Sequence, residues 1–375
     1  MPQSERKIDY RFKILYAVGM IFITAGHCGN GGLSLAYEWF APYSFHLGLF
    51  VFCSGYFYKA ESEENVRKYI WKKVKTLLIP MYLWNFAYAI FVSILRLIGF
   101  RVGDPVNIYS LFIAPLNNGH QFGYNLGSWF IAPLFTVEVF NILFRKALSF
   151  LKGKAKEITV FCIYFGLGVL GILLANNGWL RTTKLFVVRA LFFLPFFGLG
   201  GLYKVVLEKH DKLPSRWYFP LVLLGQLILI LICGRIPTYS PSWCNDFIDG
   251  PFIPFLTGYL GIFFWLRIAT ILEPIIGRNK CVNLIADNTY SIMVNQYVGF
   301  LVVKTGYLLL HLAGYLPDFQ ISEYLHNLWY FYLPGGYEQF NMLYLAAGIL
   351  VPIGIQLLIN KAKPYVIKPK KQQVA

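Results

Sequence analysis

Ten apolar segments run through this chain and limit the folds that it can adopt. Each is close to the roughly 17 to 25 residues needed to cross the hydrocarbon core of a bilayer. Because backbone groups in lipid must be hydrogen-bonded within the protein, we predict that each segment is a helix. The segments are 12–30, 41–58, 77–97, 128–144, 157–175, 185–203, 217–234, 251–272, 283–311 and 341–360.

The composition supports an all-α, polytopic integral membrane protein. Of the 375 residues, 57% are hydrophobic and only 14% are charged, and the mean hydropathy is +0.53. A water-soluble fold of this length needs more charge to cover its surface. We find no internal repeat and predict one membrane domain over residues 1–375. The six cysteines lack the paired spacing of a metal site, and we predict no bound metal.

The distribution of basic residues predicts the orientation. If ten helices alternate across the membrane, 27 of the 34 lysines and arginines fall on the side that holds both termini. The positive-inside rule makes that side cytoplasmic. The net charge of +16 could also suggest nucleic acid, but the basic clusters stand between apolar segments, so we predict membrane lipids and no nucleic acid as partners. We expect a multi-pass protein of a bacterial-type cytoplasmic membrane.

The first apolar segment, ILYAVGMIFITAGHC, ends in an ionisable residue, His27. A titratable side chain in a membrane helix is costly unless it faces a cavity or a partner, so His27 is a candidate functional residue, with packing against a neighbouring helix as the alternative. Tyr16 precedes it by eleven residues, which places both side chains on one helix face, about 16 Å apart. A neutral imidazole has a suitable pKa to accept a proton from a hydroxyl near neutral pH.

Several other ionisable side chains fall inside apolar segments. His46, in the second segment, is predicted to face the same cavity as His27. Arg189 and Lys304 could bind phosphates or polarise a carbonyl. The alternative is an interhelical ion pair of either cation with Glu138 or Asp287.

Loop composition differs between the two sides of the membrane. The segment ESEENVRKYIWKKVKTLLIP carries five basic residues, suited to an anionic ligand or lipid phosphates, although orientation alone also accounts for them. On the opposite side, the connections 98–127, 235–250 and 312–340 are rich in aromatic and amide side chains. These suit carbohydrate, and tryptophan and tyrosine also anchor membrane interfaces. The five basic residues are Arg67, Lys68, Lys72, Lys73 and Lys75.

Several motifs together resemble the acyltransferase-3 family of integral membrane acyltransferases. They are His27 at the end of the first segment, FHLGLFVFCSGYFYK, KKVKTLLIPMYLW, GSWFIAPLF, RALFFLPFFGLGGLY and ADNTYSIMVNQYVGF, in the order and spacing of the family. The resemblance implies about ten helices and transfer of an acyl group, usually acetyl, from cytoplasmic acyl-CoA to a sugar hydroxyl. It also implies that His27 is essential, that Lys73 with Lys75 or Thr76 matches a basic pair, and that Trp129 and Phe130 match a conserved motif pair.

Two positions depart from the pattern of the family. Many members have an arginine or lysine where this chain has Tyr16, which carries no fixed positive charge. Many also have a histidine in the ninth segment, where this chain has Asn295 and Gln296. Both departures bear on the mechanism, and neither affects His27.

The leading hypothesis is therefore transfer of an acyl group, usually acetyl, from acyl-CoA to a hydroxyl of a surface or lipid-linked glycan. His27 is predicted to act as general base or as transient acyl carrier. Acetyl-CoA is expected to be the donor substrate, and no permanently bound cofactor is expected. The alternatives are a non-enzymatic transporter or flippase for a lipid-linked glycan and a receptor-like member without activity. Lys73, Lys75 and Arg189 are expected to hold the CoA phosphates, and the cavity is expected to include Tyr16, His46, Trp129, Phe130, Glu138, Gln296 and Lys304.

Overall fold

Ten long helices form the part of the chain that the structure describes. The computed structural model describes residues 8–29 and 39–366, with side chains described as far as residue 362. Short helices at Tyr109–Ile113, Ala114–Asn117, Lys280–Asp287 and Ile321–His326 lie in the connections. The long helices are α1 (Tyr10–Gly26), α2 (Pro42–Tyr56), α3 (Ala60–Leu97), α4 (Leu126–Ala147), α5 (Gly153–Asn176), α6 (Thr182–His210), α7 (Ser215–Cys233), α8 (Ile253–Ile276), α9 (Thr289–Leu312) and α10 (Asn341–Val366).

Each predicted apolar segment overlaps one long helix. Eight of these helices, α3 to α10, are long and apolar enough to cross a membrane. The other two, α1 and α2, have 17 and 15 residues and are largely buried among the rest. Within residues 8–29 and 39–366 there is no β-strand. The protein is therefore an all-α, multi-pass integral membrane protein, as predicted.

Helix α3 changes its winding where it enters the apolar region. Its first part, Val66–Lys73, carries the basic residues, and one wider turn at Val74–Leu78 precedes the apolar part, Ile79–Leu97. Pro80 has no backbone N–H and cannot complete the regular hydrogen-bond ladder, which accounts for a wide turn at this point. The turn changes the direction of the lysines relative to the apolar part of the helix.

Helix α6 lies at the centre of the bundle and α7 at its edge. The most apolar 18-residue window of α6 is 78% buried, whereas that of α7 is 17% buried. Helix α2 crosses α6 so closely that a Cβ atom on Gly55 would overlap the carbonyl oxygen of Phe197, and one on Gly200 would overlap that of Phe52. Small residues permit such backbone contact between membrane helices.

Ion pairs between alternate connections gather on one face of the bundle, which we call the basic face. The first turn of α1 thereby contacts the end of α6, through Arg11 and Glu208 at 2.8 Å. The opposite face, which we call the distal face, carries the aromatic connections. This alternation agrees with the predicted path of the chain through the membrane. Further pairs of the basic face include Lys13 with Asp287, Lys156 with Glu63, Arg145 with Glu157 and Arg267 with Asp211.

The structure corrects the boundary of the ninth predicted segment. Residues 283–311 were expected to form one helix, but the chain breaks between the short helix Lys280–Asp287 and α9. The Asn279 side chain caps the short helix by accepting hydrogen bonds from the amides of Cys281 and Val282. Asn288 then leaves the helical conformation, so that Asp287 reaches Lys13 on the basic face.

Candidate active site

One face of α1 lines two successive cavities, as the spacing of Tyr16 and His27 predicted. Tyr16, Met20 and Ile23 line the cavity nearer the basic face, which we call the proximal cavity and which has a volume of about 160 Å³. Its other walls come from α2, α3, α4 and α9 and are almost entirely apolar. These walls are Leu47, Phe50, Ser54, Leu77, Phe130, Ile131, Leu134, Thr289, Tyr290 and Met293.

The second cavity, which we call the distal cavity, lies beyond the end of α1 and has a volume of about 200 Å³. His27 faces it, and its walls come from helices and from three distal connections. No aspartate, glutamate, lysine or arginine is among the described residues that line it. The lining residues besides His27 are Ile23, Tyr43, His46, Leu47, His120, Leu126, Gly127, Trp129, Phe130, Ser240, Pro241, Ser242, Trp243, Met293 and Trp329.

The two cavities are adjacent and share part of their walls. Among the described residues, four apolar side chains line both cavities and no others do. They are Ile23, Leu47, Phe130 and Met293. These four side chains form the wall between the two cavities. A small chemical group that passed between them would move from the cavity lined by Tyr16 to the cavity lined by His27.

His27 follows the last residue of α1 and caps its C-terminus, where its own amide donates to the carbonyl of Thr24 at 3.1 Å. The ring lies beside the amide of Gln296 and 5.6 Å from the ring of Tyr297, measured between centroids. Among the described residues, neither His27 Nδ1 nor Gln296 Oε1 has a hydrogen-bond partner, although both atoms are buried. The two atoms are complementary, since a protonated Nδ1 donates and an amide oxygen accepts.

His46 lies on α2 in the wall of the distal cavity, as predicted. Its Nδ1 contacts the carbonyl oxygen of Pro42. Since a carbonyl oxygen only accepts, this contact places the ring proton on Nδ1 and leaves Nε2 as an acceptor. Tyr43 packs edge-on against the ring at a centroid distance of 5.0 Å and donates to the Gly26 carbonyl at 3.0 Å. Within the described chain, no three histidine, cysteine, aspartate or glutamate residues are grouped closely enough to hold a metal ion.

The basic face pairs Lys73 with a buried acid. Glu138, only 2% exposed, accepts hydrogen bonds from Lys73 Nζ and from the Tyr69 hydroxyl. Lys75 is exposed and lies over the ring of Trp71, 5.3 Å from its centroid. Of the two lysines predicted to hold phosphates, Lys75 is therefore the one whose charge is free of a carboxylate partner among the described residues.

The alternative ion pairs considered for Arg189 and Lys304 are not formed. Glu138 pairs with Lys73 and Asp287 with Lys13. Arg189 lies toward the distal face, so the structure does not bring it together with Lys73 and Lys75. Its guanidinium donates to the carbonyls of Asn118, at 3.1 Å, and Ser242, at 2.9 Å from Nε, and it stacks 4.6 Å from the centroid of the Trp129 ring. The apolar position of residue 189 gave no sign of these partners, because they lie on distant connections.

Lys304 likewise binds backbone on the distal side. Its Nζ donates to the carbonyl of Leu328 at 2.6 Å and lies 4.6 Å from the centroid of the Phe331 ring. Since Trp329 follows Leu328 in the chain, this contact fixes the connection that brings Trp329 to the distal cavity. Lys304 itself does not line the cavity.

Trp129 and Phe130 both line the distal cavity, and Phe130 also reaches the proximal one. They begin α4 and pack edge-on against each other at a centroid distance of 6.0 Å. The sequence did not single out a further group of lining residues. One lies on α2, and the others lie on the three distal connections that had been recognised as rich in aromatic and amide side chains. The residues are Tyr43, His120, Ser242, Trp243 and Trp329.

The fold is that of a multi-pass membrane protein in which two adjacent cavities follow α1, with His27 in the wall of the distal one. The family model of acyltransferase-3, described as an acyltransferase domain, matches residues 9–361. The chain belongs to this family and is a membrane acyltransferase. Comparison with curated proteins and with solved structures gives no significant match.

Proposed function

We propose that this protein transfers an acetyl group from acetyl-CoA, bound at the cytoplasmic side, to a hydroxyl of a carbohydrate such as a surface or lipid-linked glycan unit. The observation that carries the proposal is the single α1 stripe that passes from Tyr16 in the proximal cavity to His27 in the distal cavity. Such a stripe would connect an acyl donor on the cytoplasmic side of the membrane with an acceptor on the opposite side. The positive-inside rule assigns the basic face to the cytoplasm of a bacterial-type cell.

The donor would enter from the basic face. The proximal cavity has apolar walls suited to the pantetheine arm, while the nucleotide phosphates would remain outside among the lysines of α3. Lys75 is suited to them as a flexible point charge, together with Arg67 and Lys68. Lys73 is expected to act indirectly, because Glu138 compensates its charge.

In the reaction, the neutral imidazole of His27 accepts the proton of the acceptor hydroxyl while the hydroxyl oxygen attacks the thioester carbonyl carbon. The tetrahedral intermediate then collapses with cleavage of the carbon–sulfur bond. The imidazolium returns its proton to the departing thiolate, which yields the acetyl ester, free CoA and neutral His27. No metal or resident cofactor is required for this proton balance.

Gln296 would orient the base. A hydrogen bond from His27 Nδ1 to Gln296 Oε1 would pair the two unpartnered atoms and leave Nε2 as the proton acceptor. An amide fixes the tautomer without adding negative charge. At the other end of the stripe, the Tyr16 ring stacks on Phe50 at a centroid distance of 5.7 Å and extends the apolar wall where other family members carry a cation.

The proposal is tested with a His27→Ala variant in a strain that lacks the chromosomal gene. Mass spectrometry measures acetylation of the surface polysaccharide. We expect wild-type complementation to restore a mass increment of one acetyl group per modified sugar. We expect His27→Ala to lower the level of acetylation at least about 100-fold, which is the usual contribution of a general base. His326→Ala is the matched control, because His326 is exposed on a distal helix outside both cavities.

Each contrary outcome has a distinct meaning. Full acetylation by a folded His27→Ala protein would remove His27 from the mechanism. A purified wild-type protein that neither binds nor consumes acetyl-CoA would favour the lipid-linked glycan flippase or a receptor without activity. A mass increment other than acetyl would retain the acyltransferase and change the donor.

A further inference from the structure

Two tryptophans on different connections stand at the wall of the distal cavity. Trp243, between α7 and α8, is 51% exposed, and Trp329, between α9 and α10, is 48% exposed. Both line the same cavity as His27. Large rings that are half exposed beside a cavity offer flat apolar surfaces to whatever enters it.

His120 lies beside one of these rings. Its ring centroid is 4.7 Å from that of Trp243, and its Nε2 lies 3.2 Å from the hydroxyl oxygen of Ser242. His120 Nδ1 is buried and has no hydrogen-bond partner among the described residues. Burial and the nearby charge of Arg189 lower the pKa of His120 to about 3, so the ring is neutral at physiological pH. A neutral ring can donate to or accept from a hydroxyl, according to its tautomer.

Buried cations hold both tryptophan-bearing connections. Arg189 binds the carbonyl of Ser242, next to Trp243, and Lys304 binds the carbonyl of Leu328, next to Trp329. Neither cation has a carboxylate partner in the described chain. Burying a cation in a membrane protein without an acid is costly and points to a functional demand on the segment that it fixes. Rings fixed in this way are preorganised for a ligand.

We propose that Trp243, Trp329 and His120 form a subsite that binds an uncharged sugar ring of the acceptor, with the reacting hydroxyl directed toward His27. This inference rests on the proposed function and names the acceptor class. The rings of the tryptophans cover the apolar faces of the sugar, and His120 and Ser242 bind its hydroxyl groups. An uncharged ring fits because no acidic or basic side chain is among the described residues that line the cavity.

The competing explanation is that these tryptophans only anchor the protein at the membrane interface. Trp179 provides a matched control on the same face. It lies in the connection between α5 and α6, under the ammonium of Lys184 at 5.5 Å, and it does not line the distal cavity. If the tryptophans only anchor the protein, substitution of Trp179 and of Trp243 should have similar effects. If Trp243 belongs to a sugar subsite, only its substitution should lower acetylation.

The experiment uses the same deletion strain, complemented with Trp243→Leu, Trp243→Phe, Trp329→Leu and Trp179→Leu. The readout is acetyl content of the polysaccharide per molecule of membrane-inserted protein. We expect each cavity leucine variant to fall about tenfold, since an aromatic contact contributes up to about that factor. Trp243→Phe is expected to retain most activity because it keeps an aromatic face, and Trp179→Leu is expected to match the wild type.

His120 is tested by the same readout with His120→Gln and His120→Phe. We expect glutamine to preserve activity within a few-fold, because its amide can bond a hydroxyl, and phenylalanine to lose it. Binding of coenzyme A to each purified variant, measured by calorimetry, is expected to equal that of the wild type, because the donor occupies the proximal side.

The subsite is overturned if the cavity leucine variants acetylate as well as the wild type, or if Trp179→Leu falls with them. It is also overturned if coenzyme A binding weakens in parallel with acetylation. Failure of the proposed function gives a different result from failure of the subsite. In that case the wild-type protein itself would add no acetyl group to the polysaccharide.

Discussion

The pairing of Lys73 with Glu138 shows how one contact changes the meaning of a basic residue. From the sequence, Lys73 was a candidate for binding phosphate, because five cations share its segment. The structure places its Nζ against a carboxylate that is 2% exposed. An unpaired charge at that depth is costly, so the ion pair accounts for a lysine at this position whether or not a nucleotide binds nearby.

We predict that Lys73→Met destabilises the protein by about 3 kcal/mol, because it leaves Glu138 buried without its cation. Lys75→Met, in the same helix, is expected to change stability by less than about 0.5 kcal/mol, since Lys75 is exposed. The measurement is reversible unfolding in detergent with added denaturant. The double variant Lys73→Met/Glu138→Gln is expected to recover most of the loss, and equal destabilisation by both single lysine variants would contradict the assignment.

The low pKa of His120 predicts a pH dependence of stability. The unfolded chain binds a proton at this histidine near pH 6.5, whereas the folded protein binds one only near pH 3. Between these values the unfolded state holds more protons, so His120 stabilises the fold at neutral pH and this contribution is lost as the pH falls from about 6.5 toward 3.

We therefore expect the midpoint of thermal unfolding to fall less in His120→Gln than in the wild type when the pH is lowered from 7 to 4.5. Glutamine does not titrate, and the other ionisable groups are the same in both proteins. Scanning calorimetry or intrinsic fluorescence at a series of pH values gives the comparison. Parallel curves for the two proteins would show that His120 does not contribute to acid sensitivity.

Local patterns predicted the candidate site where the geometry depends on one helix. The prediction of Tyr16 and His27 on one stripe follows from the helical period alone, and the structure places these side chains in the walls of two adjacent cavities along α1. The partners of Arg189 and Lys304 could not be predicted, since both bind carbonyls of connections distant in sequence. Backbone acceptors exist at every residue and leave no mark in a sequence.

Among the elements, the crossing of α2 and α6 depends on glycine at Gly55 and Gly200. A Cβ atom at either position would overlap a carbonyl oxygen of the facing helix. Since a backbone carbonyl cannot turn aside as a flexible side chain can, the helices would have to separate. This crossing supports the cavities from the side, because α2 carries His46 and Leu47.

We predict that Gly55→Ala and Gly200→Ala each destabilise the protein by about 1 to 3 kcal/mol through overpacking. Gly166→Ala is the matched control, since a Cβ atom there meets no atom within 4 Å, and alanine favours helix over glycine. Unfolding in detergent and the yield of monodisperse protein give the comparison. Tolerance of alanine at Gly55 and Gly200 equal to that at Gly166 would show that the helices are not in contact at this crossing.

The sequence predicted the long helices better than the breaks between them. Apolar length is a direct consequence of bilayer thickness, so every predicted segment overlaps a helix. The break before α9 was missed because Asp287 and Asn288 interrupt a long apolar run by only two residues. In the structure, Asn288 leaves the helical conformation and Asp287 pairs with Lys13 on the basic face.

At the scale of the whole molecule, the proposed reaction requires that the basic face lie in the cytoplasm and the distal face outside. Cys281 and Tyr315 report these faces. Cys281 is exposed in the short helix beside the basic face, and Tyr315 is 75% exposed in the connection that follows α9. One helix, α9, separates them in the chain, so the two positions must lie on opposite sides if that helix spans the membrane.

We predict that a membrane-impermeant maleimide labels Tyr315→Cys in intact cells and labels Cys281 only after the membrane is opened. Each position is tested in a variant whose other cysteines are replaced by alanine and whose activity is retained. The reverse pattern would place the basic face outside and would exclude cytoplasmic acetyl-CoA as donor through the proximal cavity. Labelling of both positions in intact cells would mean that α9 does not span the membrane, and the two cavities could not then separate a cytoplasmic donor from an external acceptor.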